Sequence, residues 1–152
     1  MSLTLRRATP ADVEQIVEFN RRLAWESEAK SLDADVLTRG VTAILQDSVK
    51  GFYTLAESNG TCVGQAMITF EWSDWRSGWF WWIQSVYVQA ESRGSGVFKT
   101  LFAYLHDQAR HTNDVIGLRL YVERENNTAQ EVYGKLGMAT TDYELLELFP
   151  LH

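Results

Sequence analysis

Apolar and polar positions change their period several times along this chain, and each change marks a predicted element. Residues 3–8 alternate in the manner of a strand. Thr9-Pro10-Ala11-Asp12 then predicts a helix start. Thr9 can cap, Pro10 suits the first helical position, and Asp12 lies near the positive end of the helix dipole. Val13, Ile16, Val17 and the segment from Asn20 to Ala24 continue at helical spacing. A second helix is predicted over 34–46, with Val36, Leu37, Val41, Ile44 and Leu45 inward.

From Gly51 the period becomes two. Residues 52–57 and 62–72 flank Ser58-Asn59-Gly60, and Asn-Gly is a strong hairpin signal. Residues 79–88 are apolar on both faces, the pattern of a central strand covered from both sides. Arg93-Gly94-Ser95-Gly96 leads into Val97, Phe98, Leu101, Phe102, Leu105 and Ala109 at helical spacing. Ile116, Leu118, Leu120 and Val122 alternate as another strand. Asn127 is placed to cap a short helix that stops at Gly137, and residues 138–149 read as one or two further strands. The order β-α-α-β-β-β-α-β-α-β predicts one α/β domain over residues 1–152, without repeat or linker.

The composition narrows the function. At 152 residues, 45% hydrophobic and 22% charged, the chain can bury a core without metals or staples. Its net charge of −6 and the lack of any Lys/Arg run argue against a nucleic-acid partner. No apolar stretch is long enough to span a membrane and no signal peptide opens the chain, so a cytoplasmic protein is expected. The single cysteine, Cys62, fits a reducing compartment and reads as a buried strand residue, not a nucleophile. His106 and His111 form no metal-ligand cluster, and no metal is expected.

The chemistry concentrates between Trp79 and Leu105, where a buried strand runs through a glycine-bearing turn into an amphipathic helix. A helix N-terminus presents unpaired N–H groups along a positive dipole, and glycines let that backbone approach an anion. Gly94 and Gly96 stand where a turn would cradle a pyrophosphate, with Arg93 and Lys99 adding charge. The dinucleotide fingerprint is not met, because its third glycine falls on Lys99, and the P-loop pattern is absent. The turn alone suits an ordinary strand-to-helix connection equally well.

Val86-Tyr87-Val88 followed by Arg93-Gly94-Ser95-Gly96-Val97-Phe98 and a helix resembles the central motif of the GNAT superfamily of N-acetyltransferases. The segment from Tyr121 through Asn126, Ala129 and Tyr133 to Leu136-Gly137-Met138 resembles the next motif of that superfamily. The motifs occur in family order, and the resemblance extends over nearly the whole chain. It implies a GNAT-like α/β fold, with a mixed, mostly antiparallel central sheet flanked by about four helices. It also implies acetyl-CoA as cofactor. Backbone amides of Gly94, Ser95, Gly96, Val97 and Phe98 would hold the pyrophosphate, and Val86, Tyr87 and Val88 would pair with the pantetheine arm. Asn126 and Ala129 would contact the same arm, and Tyr133 would act as general acid. The sequence differs from the family pattern at two places. Phe98 stands where Gly or Ala is usual, and Gln84-Ser85 stand where a catalytic carboxylate is common.

The expected reaction is attack of an amine on the thioester carbonyl. A neutral amine, a donor for the oxyanion (Val86 N–H) and an acid for the leaving thiolate (Tyr133) are its requirements. Glu26, Glu71, Trp82 and Gln84 are candidates for binding the acceptor, with Glu28 and Asp74 nearby in sequence and the general base unassigned. Phe70, Trp72, Trp75, Trp79, Phe80, Trp81 and Trp82 crowd one hairpin, where core packing, an acceptor pocket and a homodimer contact are all open. A small cationic amine is the expected acceptor. A peptide or protein amine, or an acyl-CoA-binding sensor without turnover, are the alternatives.

Overall fold

The computed structural model describes residues 2–152. The chain divides into two compact units, one ending at Leu120 and the other Tyr121–His152. In the first, β1 (Thr4–Arg7) is followed by a one-turn 3-10 helix at Pro10–Asp12, α1 (Val13–Glu28) and α2 (Ala34–Gln46). Then come β2 (Phe52–Ser58), β3 (Thr61–Ser73), β4 (Gly78–Val88), α3 (Val97–Arg110) and β5 (Val115–Arg119). The strands form one sheet in the order β1-β2-β3-β4-β5, antiparallel throughout except for the parallel β4–β5 pair. This is the mixed, mostly antiparallel sheet that the family resemblance implies.

Alternation sorts the sheet residues onto two faces. Tyr53, Leu55 and Met67 pack under Ile16 of α1 and Val41 of α2. Ala56 and Val63 pack on the opposite side under Val97 and Leu101 of α3. Gly64 makes that second contact close: a Cβ there would stand 3.0 Å from Val97 Cγ1 and 3.1 Å from the Tyr87 carbonyl. Each fully buried aliphatic side chain, such as Ile16, Leu55 or Leu101, contributes about 1.5–3 kcal/mol by leaving water.

The predicted helix starts are realised by local hydrogen bonds. Asp33 accepts from the N–H groups of Asp35 and Val36 and caps α2. At the first helix, Asp12 accepts from the Thr9 N–H at 2.8 Å and from both terminal nitrogens of Arg6 at 2.9 and 2.8 Å. Arg6 also reaches Glu57 at 2.9 Å, so one guanidinium joins β1, the helix start and β2.

In the second unit, α4 (Asn127–Lys135) is capped by Asn126, whose Oδ1 accepts from the Ala129 N–H at 3.1 Å. The cap is therefore Asn126 and not Asn127, because the chain adopts helical geometry one residue earlier than the polarity suggested. The strands expected over 138–149 are not formed. Tyr143, Leu145, Leu146, Leu148 and Phe149 there are exposed. Alternation supplies β-propensity, but a strand exists only with a neighbour to pair its backbone, and no ladder includes these residues. The strand expected over 116–122 likewise stops at Arg119.

The Arg6–Asp12 contact gives a pH-dependent test. Hydrogen bonding by Arg6 holds the Asp12 carboxyl below the usual carboxylate range. Its stabilisation is thus complete above the unfolded value of ~3.9 and is lost as pH falls through the lower folded value. Asp12→Ala is expected to cost about 1 kcal/mol at pH 7. In thermal denaturation, the gap between the two proteins should close as the pH is taken below that of the folded carboxyl; a gap independent of pH would refute the assignment.

Candidate active site

The sheet opens between its last two strands. β4 is in register with β5 only from Trp79 to Trp82, which stands against Arg119. From Ile83 to Val88 it keeps β3 on one side, and among the described residues no strand is in register with it on the other. A strand edge of this kind offers a row of N–H and C=O groups to any extended ligand that can add as a strand. Within the same stretch β4 bulges. Met67 faces Gln84 and Gln65 faces Tyr87, so neither Ser85 nor Val86 has a residue in register on β3. Ser85 takes a left-handed conformation, with φ of 49°.

β4 leads through a 3-10 turn at Ala90–Ser92 into Arg93 and the two glycines. Gly94 and Gly96 have φ of 81° and 87°, the region that side chains disfavour. A Cβ at either would meet no atom within 4 Å, so the backbone there borders open space that side chains would begin to fill. Gly96 is the N-cap of α3 and contributes no capping side chain, leaving the first-turn amides directed outward along the dipole. The donor set and the cradle fit a pyrophosphate. Phe98 packs along its own helix against Phe102, with ring centroids 6.3 Å apart. Lys99 is exposed beside the turn.

Arg93 is engaged within the protein. Its Nε donates to the Val88 carbonyl at 2.8 Å, and its terminal nitrogen is ion-paired with Glu26 of α1. Glu26 also accepts from the Tyr87 hydroxyl at 2.6 Å. Tyr87 and then Arg93 hold the Glu26 carboxyl below its usual range. The strand, the turn and the end of α1 are joined through these three side chains.

The acceptor candidates Glu71, Trp82 and Gln84 share the sheet face on which Tyr53 and Met67 meet α1 and α2. Glu71 Oε1 accepts from Trp82 Nε1 at 3.0 Å and from Arg119 at 2.8 Å, and Gln84 donates to Thr69 Oγ1 at 2.6 Å. Arg119 lies over the Phe80 ring at 3.6 Å. On the other face, Phe52, Phe70, Trp79 and Trp81 pack edge to face or tilted against one another, and Trp81 is buried. Trp72 and Trp75 are exposed on the hairpin. Core packing thus accounts for Trp81, not for the whole cluster.

Val86, Tyr87, Val88 and the residues from Arg93 to Lys99 are gathered in the first unit, while Asn126, Ala129 and Tyr133 lie together at the start of and within α4. The Asn126 side chain and the Ala129 N–H are bonded to each other as the helix cap. Burial raises the Tyr133 phenol above its ordinary value, so it is protonated at neutral pH. Burial also pushes the Cys62 thiol up to about 11, which leaves it a poor nucleophile. Among the described residues no group of His, Cys, Asp and Glu is arranged to hold a metal, and no helix is long and apolar enough to cross a membrane.

Sequence reasoning passed over two features. Trp25, Arg21, Arg22 and Lys30 border an open groove of about 350 Å³ beside Glu26. Asn20 and Gln65 are buried at 6% and 0% exposure. The signal for Gln65 was an amide at the same strand parity as the inward Met67.

The opened strand and the glycine turn both lie in the first 120 residues. A model of the acetyltransferase (GNAT) family matches residues 13–138. No curated protein matches the sequence. A possible acetyltransferase from Clostridium difficile 630 is similar at 44% identity over 100% of both chains, with a TM-score of 0.94. A predicted acetyltransferase with acetyl-CoA from Clostridium acetobutylicum is 23% identical, covering 97% of this chain and 96% of its own, with a TM-score of 0.78. Glucosamine-6-phosphate N-acetyltransferase from Arabidopsis thaliana is 18% identical over 99% and 100%, with a TM-score of 0.74, a likeness of fold. With the parted strand and the glycine cradle in place and a family model spanning both motifs, the chain belongs to the GNAT family of acetyltransferases, which use acetyl-CoA.

Proposed function

We propose that the chain works as a single N-acetyltransferase domain that moves the acetyl group of acetyl-CoA to a small amine by direct attack. The observation that carries this reading is the β4 edge, open from Ile83 to Val88 and running straight into the uncapped glycine turn. Membership of the family supports acetyl-CoA as the cofactor. A cytoplasmic setting accords with the lone, unpaired Cys62.

Acetyl-CoA supplies an acetyl group activated as a thioester. The amides from Gly94 to Phe98 would hold its pyrophosphate, with Lys99 adding charge, and the Val86–Val88 backbone would align the pantetheine arm. The Val86 N–H donates to the carbonyl oxygen as negative charge gathers there. Tyr133 gives its phenolic proton to the departing sulfur, and its raised pKa keeps that proton available. Asn126 and Ala129 act through the start of α4, which their cap orders.

Two carboxylates proposed to meet the amine, Glu26 and Glu71, are each paired with an arginine. Their charge is already answered. The Trp82 ring, on the strand just before the bulge, is then the surface for the acceptor, and an ammonium would be met there by the indole face. The proton of the attacking amine leaves to solvent. The same pairing favours a second reading, an acyl-CoA-binding module without turnover, since none of these carboxylates stands ready as a base.

Acetyl-CoA binding and thiol release against a panel of small amines and peptides separate the two. Turnover supports the enzyme, a peptide-only response moves the acceptor class, and binding without turnover supports the sensor. Gly96→Ala, which strains a φ of 87° and fills the cradle, should weaken acetyl-CoA binding about tenfold by calorimetry. Unchanged binding would remove the turn from the site. Tyr133→Phe should lower kcat roughly 10²-fold with the dissociation constant for acetyl-CoA preserved. Wild-type kcat/KM should rise with pH as the amine loses its proton, with no falling limb from the phenol below about pH 10. A falling limb near neutrality would rule Tyr133 out as the acid.

A further inference from the structure

A bulge that places a non-glycine residue in the left-handed region is strained by about 1–3 kcal/mol and persists only where its surroundings hold it. At Ser85 the holding groups are visible. Gln65, fully buried on β3, donates from Nε2 to the Ser85 carbonyl at 3.0 Å and to Asn20 Oδ1 at 3.2 Å. Asn20 of α1 donates from Nδ2 to the Tyr53 hydroxyl at 3.2 Å, and the Ser85 side chain interacts with that same hydroxyl. These hydrogen bonds form a chain that links α1, β2, β3 and the bulge. Asn20, Tyr53 and Gln65 are all buried, so water does not compete for these bonds.

We propose that Gln65 is a positioning residue for acetyl transfer: it holds the β4 bulge at Ser85 and so fixes where the Val86 amide stands. This rests on the assignment of Val86 as the oxyanion donor. The bulge removes Ser85 and Val86 from register with β3, so the ladder itself does not orient them. The Gln65 amide supplies the missing restraint by taking the Ser85 carbonyl, which belongs to the same peptide group as the Val86 N–H. One peptide plane thus carries the acceptor that Gln65 grips and the donor that the reaction uses. Its planarity transmits the restraint from one to the other. The Gln65 amide is in turn held by Asn20, whose own amide is fixed by Tyr53. The orientation is forced, since exchanging Oε1 and Nε2 of Gln65 would set oxygen against two oxygens.

The test uses the full-length chain, ¹⁵N-labelled and titrated with acetyl-CoA, as wild type and as Gln65→Met, well below the melting temperature of each. In the wild type, the amide resonances of Gly94 to Lys99 and of Val86 should all shift. In Gln65→Met, the turn amides should shift as before, with a dissociation constant within about threefold of wild type. The Val86 response should be lost, and kcat for thiol release should fall at least about tenfold. If Gln65→Met does not fold, Tyr53→Phe, which removes the hydroxyl at the end of this hydrogen-bonded chain, should reduce the Val86 response and lower kcat severalfold. A Val86 response and kcat equal to wild type in the folded variant would overturn the proposal while leaving the cofactor site intact. Absence of any shift at the turn in wild type would instead overturn the cofactor reading, and this proposal with it.

Discussion

A sheet that parts between its last two strands has to satisfy two opposing demands, and the candidate site is the result of both. The backbone of β4 needs partners wherever it is buried, yet a ligand that binds as an added strand needs one edge left unpaired. The chain meets the first demand on the β3 side, where pairing runs from Gly78 to Val88 apart from the bulge. It meets the second by ending the β4–β5 ladder at Trp82 and Arg119. Gly64 then lets α3 lie close on the sheet, so that the helix starts just past the open edge. Strand edge, glycine turn and helix N-terminus follow in one continuous run, the order needed to hold an extended thiol arm at one end and a phosphate at the other.

The electrostatics of the surrounding side chains are largely closed. Glu26 is matched by Arg93 and Tyr87, and Glu71 by Arg119 and Trp82. These pairs are partly exposed, and such pairs add little net stability. Their effect lies in geometry: each ties segments distant in sequence to β4 or to its turn. A net charge of −6 therefore does not translate into a free negative surface at the site. In the proposed reaction, the proton transfers would fall to a phenol kept protonated by burial and to solvent, and the oxyanion to the backbone.

The segments legible in the sequence are those whose signal is local. The second helix, predicted over 34–46, is Ala34–Gln46, because Asp33 caps it and its apolar stripe has the helical period. The hairpin at Asn59-Gly60 follows from turn chemistry. The alternation at Trp79 to Trp82 placed Trp79 and Trp81 on one face, where they stack with Phe70. The tail over 138–149 had alternation of the same kind and formed no strand, because pairing needs a partner that no local pattern encodes.

By itself, the sequence determined the order of the elements as far as α4, the period of the helices and of the long strands, and the glycines that open the turn before α3. Each of these depends on residues within a few positions of one another, where backbone sterics and hydrogen bonding decide. Only the tertiary structure decided what the polar side chains do. Glu26 and Arg93 are 67 residues apart, Glu26 and Tyr87 are 61 apart, and Gln65 and Asn20 are 45 apart. Read singly, a glutamate is a candidate for an amine and an arginine for a phosphate. Folding brings them to each other, and a charge satisfied inside the protein is no longer offered to a ligand.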